Sequence, residues 1–435
     1  MLFNSFEFVV FFAIVVLLYF ALPFRYRWLH LLISSYLFYM CWRWEYIFLI
    51  IGQTVVNYYC GRQIAKAPPG PGRKGWLAIS LVWSLGLLFF YKYYDFARRT
   101  IEDAGSAMGI DPALPMMDVI LPVGISFYTF QALSYTIDIY RGDVEEERHF
   151  GRFALFVAFF PQLVAGPIER ASNLLVQFRR ENQLDLDRLA SGLKLMLWGL
   201  FKKVVIADRL AIFVNQVYGD PSAYSGSTLL LATYFFAFQI YCDFSGYSDI
   251  AIGAARVLGY DLMQNFRLPY LARSFAGFWR RWHISLSTWF RDYLYVPLGG
   301  NRVGIHRWVF NIILVFTVSG LWHGAAWTFV FWGLLHGGFY LAERLIAPHG
   351  AKLVHTLRLP GGPVKLFRIL LTFHLVLLAW VFFRAQSMED AVLIVHRILT
   401  DLTGPLYTGP SQVTQGSASC SSFSCWVSKS FRKGE

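Results

Sequence analysis

The 435-residue chain is 56% hydrophobic and only 15% charged, against roughly a quarter charged in soluble globular domains, and this excludes an ordinary soluble enzyme. Its net charge of +12 comes from basic residues scattered singly between apolar runs. That pattern suits loops facing anionic lipid and argues against a nucleic-acid surface.

From the N-terminus, MLFNSFEF carries no positive charge, and the first basic residues, Arg25 and Arg27, follow the apolar run Phe8–Phe24. The segment therefore reads as a retained first crossing with its N-terminus outside the cytoplasm, not as a cleavable leader. Further crossings ending near Cys41 and Cys60 put the loop Gly61–Gly75, with Arg62, Lys66, Arg73 and Lys74, on the cytoplasmic side. The orientation agrees with itself. Uncharged runs continue at Trp76–Tyr91, Phe153–Gly166 and Ser227–Cys242. At roughly 20 apolar residues per crossing, we expect nine to eleven crossings. Cys41, Cys60, Cys242, Cys420 and Cys425 form no CxxC pair, so neither a disulfide framework nor a zinc site is expected. In YCDFSGYSD, the residues Asp243, Ser245 and Asp249 read as a helix cap and turn, with the lining of a cytoplasmic mouth as the other possibility.

Two segments depart from upright helices. Across Phe275–Pro297, helical spacing puts Trp279, Trp282, His283, Leu286, Trp289 and Phe290 on one stripe, opposite Arg280, Arg281, Arg291 and Asp292. Such a helix should lie along an interface with its tryptophans packed there. The stretch Trp308–Leu341 has no charge over 34 residues; as one helix it would reach about 50 Å, beyond a core of about 30 Å. A break is expected at the small residues Ser319, Gly320, Gly324, Ala325 and Ala326, which surround His323. Broken backbone at membrane depth must be enclosed by protein or line a cavity, so His323 is expected to face an internal space.

A titratable group in an apolar membrane segment is a functional candidate, although a single such histidine is as readily a hydrogen-bonded structural group. Two of them shift the balance to function. The ten histidines include no HxxxH or HExxH, so no metal site is expected, and no GxSxG elbow marks a serine nucleophile. What remains is attack of a substrate hydroxyl on an acyl thioester. It needs a base, for which His323 is suited, and a binding or polarising group, for which His283 is suited. His336 lies in the same run and reads as a hydrogen-bonded packing residue.

FWRRWHISLSTWFRDYLYVPLGGNR (278–302) and GLWHGAAWTFVFWGLLHG (320–337), with LPVGISFYTFQALSYTIDIYRGD, FFPQLVAGPIER and NFRLPYL before them, closely resemble the membrane-bound O-acyltransferase family, in its alginate O-acetylation branch. The likeness covers about residues 1–400. It implies an all-α polytopic membrane fold, a ring of tilted helices around a central tunnel, spanning 1–402. It also implies that the histidines matching the family's two signature positions, His283 and His323, are catalytic. Around them, Trp282, Ser287, Asp292, Asn301 and Trp322 are the substrate-binding candidates. For Asp292, pairing with Arg291 is the plainer reading, and for Asn301 with Gly299–Gly300, a turn. The resemblance further implies a multi-pass protein of the bacterial inner membrane. Acetyl-CoA would be the donor, with no bound cofactor. Periplasmic O-acetyltransferases would be partners and an exported polysaccharide the final acceptor. Acceptors such as teichoic acid (for D-alanine), peptidoglycan or cellulose stay open, as do a transporter or scaffold without chemistry. The Ser/Gly-rich stretch 403–435 departs from the branch, which continues with further crossings, and is expected to be a disordered tail.

Overall fold

The computed structural model describes residues 1–407 apart from Asp111, Ala113 and Asp118. Among the described residues there are sixteen α-helices and no strand. The chain divides into two compact units, residues 1–200 with 247–264, and residues 201–246 with 265 onward.

The first unit holds α1 (Phe6–Ala21), α2 (Phe24–Met40), α3 (Ile47–Lys66), α4 (Pro71–Leu88), α5 (Tyr94–Ala107), α6 (Ile125–Arg141), α7 (Phe150–Ala158) and α8 (Leu186–Leu200). A π-turn at Phe89–Tyr93 joins α4 to α5 in one 37-residue apolar helix long enough to cross a bilayer. Side chains such as Leu17, Phe48 and Val82 are exposed on the first unit, as expected of surfaces that face lipid. Polar groups do the opposite and gather inside. Asn57 on α3 donates to Ser84 Oγ (3.2 Å) and to Gln53 O (2.9 Å), and its own oxygen accepts from Ser80 (2.6 Å) and Thr136 (3.0 Å). A buried amide in an apolar medium must be bonded this way.

The second unit contains α9 (Asp208–Gly219), α11 (Phe275–Trp279), α12 (Ile284–Phe290), α13 (Ile305–His323), α14 (Trp327–Thr356), α15 (Gly361–Arg384) and α16 (Met388–Thr400). The 32-residue α10 (Gly226–Val257) begins in this unit and ends in the first. Helices α10, α13 and α15 are each long and apolar enough to span a bilayer; the 19 residues of α13 reach about 28 Å.

Two expectations need correction. The YCDFSGYSD residues are not at a cap but inside α10. The helix runs on because its polar groups find partners: Asp243 pairs with Lys203 (2.5 Å), and Ser245 accepts from Lys202 Nζ (3.0 Å). Likewise Phe275–Pro297 is not one interfacial helix. It breaks after Trp279 and restarts at Ile284, and its aromatic stripe packs inside the protein, with Trp282 5.0 Å from Trp380 on α15. The expected break in Trp308–Leu341 does occur, between His323 and Trp327. At the other end, Thr228 Oγ1 and Ser225 Oγ donate to the carbonyl of Pro405, while residues 408–435, most of the Ser/Gly-rich stretch, lie outside the described residues.

Candidate active site

Both histidines stand at helix ends, His323 closing α13 and His283 capping the start of α12. His323 is the last residue of α13, and Gly324 after it is extended (φ −159°). A side chain at Gly324 would collide with the ring of Phe329, and one at Gly320 would collide with the Phe329 carbonyl. The small residues that mark the break in the sequence thus permit α13 and α14 to meet closely enough to enclose His323.

His283 adopts a left-handed backbone, φ 44° and ψ 56°. This is costly for a side chain with a Cβ and persists only where surrounding contacts impose it. Asn265 imposes it. Its carbonyl accepts from Ile284 N–H (3.0 Å), and its Oδ1 accepts from Ser285 N–H (3.2 Å) and Ser285 Oγ (2.9 Å). Asn265 and Ser285 are fully buried. The turn aims His283 inward, and its imidazole is completely buried beside Phe244 of α10 (4.6 Å between ring centroids).

The two imidazoles come within 6.2 Å of each other, centroid to centroid. Trp322 touches both, at 5.6 Å from His283 and 4.9 Å from His323. The other walls around His323 are Trp332 (5.1 Å) and Phe383 (5.3 Å). His283 is sealed, whereas His323 is only half-buried. Among the described residues no group of three His, Cys, Asp or Glu stands where it could hold a metal ion.

Of the substrate-binding candidates, the structure brings Trp322 directly against both histidines. Trp282, next to His283, is buried against Phe266 (5.1 Å) and Trp380. Ser287 donates to the Trp282 carbonyl (3.2 Å) and so braces the His283 turn from its other side. Asp292 instead pairs with exposed Arg291 (2.7 Å). Asn301 is exposed in the turn formed by Gly299 and Gly300, both at positive φ. Sequence reasoning does not single out Asn265 or Trp332. NFRLPYL carries Asn265 as part of a family motif, but its clamp joins residues 20 positions apart.

The family model described as MBOAT, membrane-bound O-acyltransferase family, matches residues 145–381. The chain belongs to this family. It is a multi-pass membrane protein and an O-acyltransferase. A protein of Azotobacter vinelandii described as a probable alginate O-acetylase is 41% identical over 86% of this chain and 73% of its own length. A probable alginate O-acetylase of Pseudomonas aeruginosa is 40% identical over 90% of this chain and 73% of its own. A peptidoglycan O-acetyltransferase of Helicobacter pylori is 37% identical over 84% of this chain and 72% of its own.

Proposed function

We propose that this acyltransferase takes acetyl groups from a cytoplasmic donor, acetyl-CoA, and moves them across the bacterial inner membrane for O-acetylation of an exported, alginate-like polysaccharide. Periplasmic O-acetyltransferases complete the transfer. The observation that carries the chemistry is the pair itself: a half-buried imidazole, His323, touching the same indole as a sealed one, His283. The alginate-type acceptor rests on the relatives at 40–41% identity. The cytoplasmic donor side rests on the basic residues that follow the first crossing, Arg25 and Arg27.

In this reading His323 accepts the proton of an acceptor hydroxyl as its oxygen attacks the thioester carbonyl. The carbon–sulfur bond breaks, the thiolate leaves, and the imidazolium returns the proton to sulfur. His283, with no access of its own, binds or polarises from behind. The low dielectric of the surrounding rings strengthens each such contact. Peptidoglycan as the acceptor is a second reading, favoured by the Helicobacter pylori relative.

The test is the acetyl content of the exported polysaccharide in cells carrying wild type, His323→Ala or His283→Ala at matched membrane levels. Background acetylation with His323→Ala is expected. Unchanged acetylation with both variants would replace the chemistry by a scaffold or transport role. Acetate appearing in peptidoglycan instead would favour the second reading.

A further inference from the structure

Behind His323 lies a third histidine that packs as the sequence suggests but does not bond as expected. His336 on α14 is fully buried, with Trp332 at 4.8 Å, Trp279 at 5.0 Å and the ring of Phe278 stacked at 6.1 Å. Trp279 and Trp332 also touch each other (5.8 Å), and Trp332 is the wall shared with His323. Among the described residues, neither nitrogen of His336 has a hydrogen-bond partner. The same holds for the buried indole nitrogens of Trp279 and Trp332.

That arrangement is poor packing and good binding. Buried polar groups without partners cost stability, and phenylalanine at 336 would fill the slot between the rings with no polar atom at all. A neutral imidazole offers one donor and one acceptor, and each indole offers one donor. A guest that matches this set accepts N–H groups on an oxygen and donates one hydrogen to imidazole. A hydroxyl does both.

We propose that His336, Trp279 and Trp332 form a hydroxyl-binding station beside His323, occupied by an ordered water or by a hydroxyl of the substrate. The guest oxygen accepts from the indole N–H groups, and its hydrogen is donated to one imidazole nitrogen. His336 is then a positioning residue. It acts on the reacting centre through the guest and through Trp332, the indole between the two imidazoles. This deepens the acyl-transfer reading and rests on it.

The experiment compares wild type, His323→Ala, His336→Phe, His336→Gln and Trp332→Phe in the full chain, scoring polysaccharide acetyl per membrane copy and the thermal midpoint of the purified protein. His336→Phe is expected to keep or raise the midpoint while losing at least about tenfold in acetylation, the scale of a misplaced reactant. His336→Gln, which retains a donor and an acceptor, should stay within about threefold of wild type. Trp332→Phe, which keeps an aromatic ring but removes the N–H along with part of the indole, reports independently if His336→Phe does not accumulate, and it too should lose acetylation. Wild-type acetylation in His336→Phe or Trp332→Phe overturns the station. If His323→Ala also acetylates normally, the acyl-transfer reading itself has failed; if His323→Ala is dead, the station alone has. An electron cryo-microscopy map of wild type in nanodiscs separates the sources. Density within hydrogen-bond distance of His336 without additive marks water, and density only with glycerol as probe marks an alcohol. Density in neither overturns the proposal.

Discussion

The interior of the first unit and the aromatic box of the second solve the same problem in opposite ways. Around Asn57 the amide itself is fully bonded, with four hydrogen bonds to Gln53, Ser80, Ser84 and Thr136. Around His336 the polar atoms are just as deeply buried, yet Trp279, Trp332 and His336 leave them unbonded. Polar groups in an apolar medium that bond one another hold helices together. Those left open can take a guest. The difference separates a structural polar cluster from a functional one more sharply than burial or residue type does.

The contrast is tested most severely at Asn57. Asn57→Ala strands the hydroxyls of Ser80 and Thr136 and should cost about 2–3 kcal/mol, read as a lower thermal midpoint in detergent, with acetylation per folded copy unchanged. A loss of activity at an unchanged midpoint would show that the first unit's network is not merely structural. Next comes the clamp on His283. Asn265→Ala removes the acceptor that fixes Ser285 and should lower acetylation about tenfold with a stability loss of about 1–2 kcal/mol. Asn265→Asp, which keeps that acceptor oxygen, should restore most of both. Equal behaviour of the two variants would mean that the left-handed turn does not depend on this bond.

The smallest effect concerns a buried carboxyl in the loop at 166–170. Burial pushes Glu169 up from 4.5 to about 7, against the opposing hydrogen bonds from Met263 N–H (2.5 Å) and Asn173 Nδ2 (2.7 Å). The folded protein therefore keeps a proton that the unfolded chain gives up above pH 4.5. Stability should fall as pH rises from about 4.5 to about 7 and level off above it. Glu169→Gln should flatten that slope in thermal midpoints measured across the range. An unaltered slope would assign the dependence to another group.

Much of the second unit's design is legible in the amino-acid sequence. Small residues around His323 mark the break between α13 and α14, because an uncharged run of that length cannot cross straight. Both histidines stand out because titratable groups are costly in membrane segments. The turn at His283 is not legible: helical spacing continues through it, and only the distant Asn265 makes its backbone tolerable. Asp243 and Ser245 mislead for a related reason. Polar residues after an apolar run read as a helix end, but Lys203 and Lys202, from an earlier segment, satisfy them within α10. His336 is visible as a residue, whereas its missing hydrogen bonds belong to three-dimensional packing alone.

Whether His323 is the group that activates the acceptor is tested most directly by release of free thiol from acetyl-CoA. The purified full-length protein in nanodiscs would be assayed with an alcohol acceptor, for wild type and His323→Ala with equal thermal midpoints. Thiol release that falls to the protein-free background in His323→Ala is the predicted result. Release at the wild-type rate would contradict it and place the reacting base elsewhere.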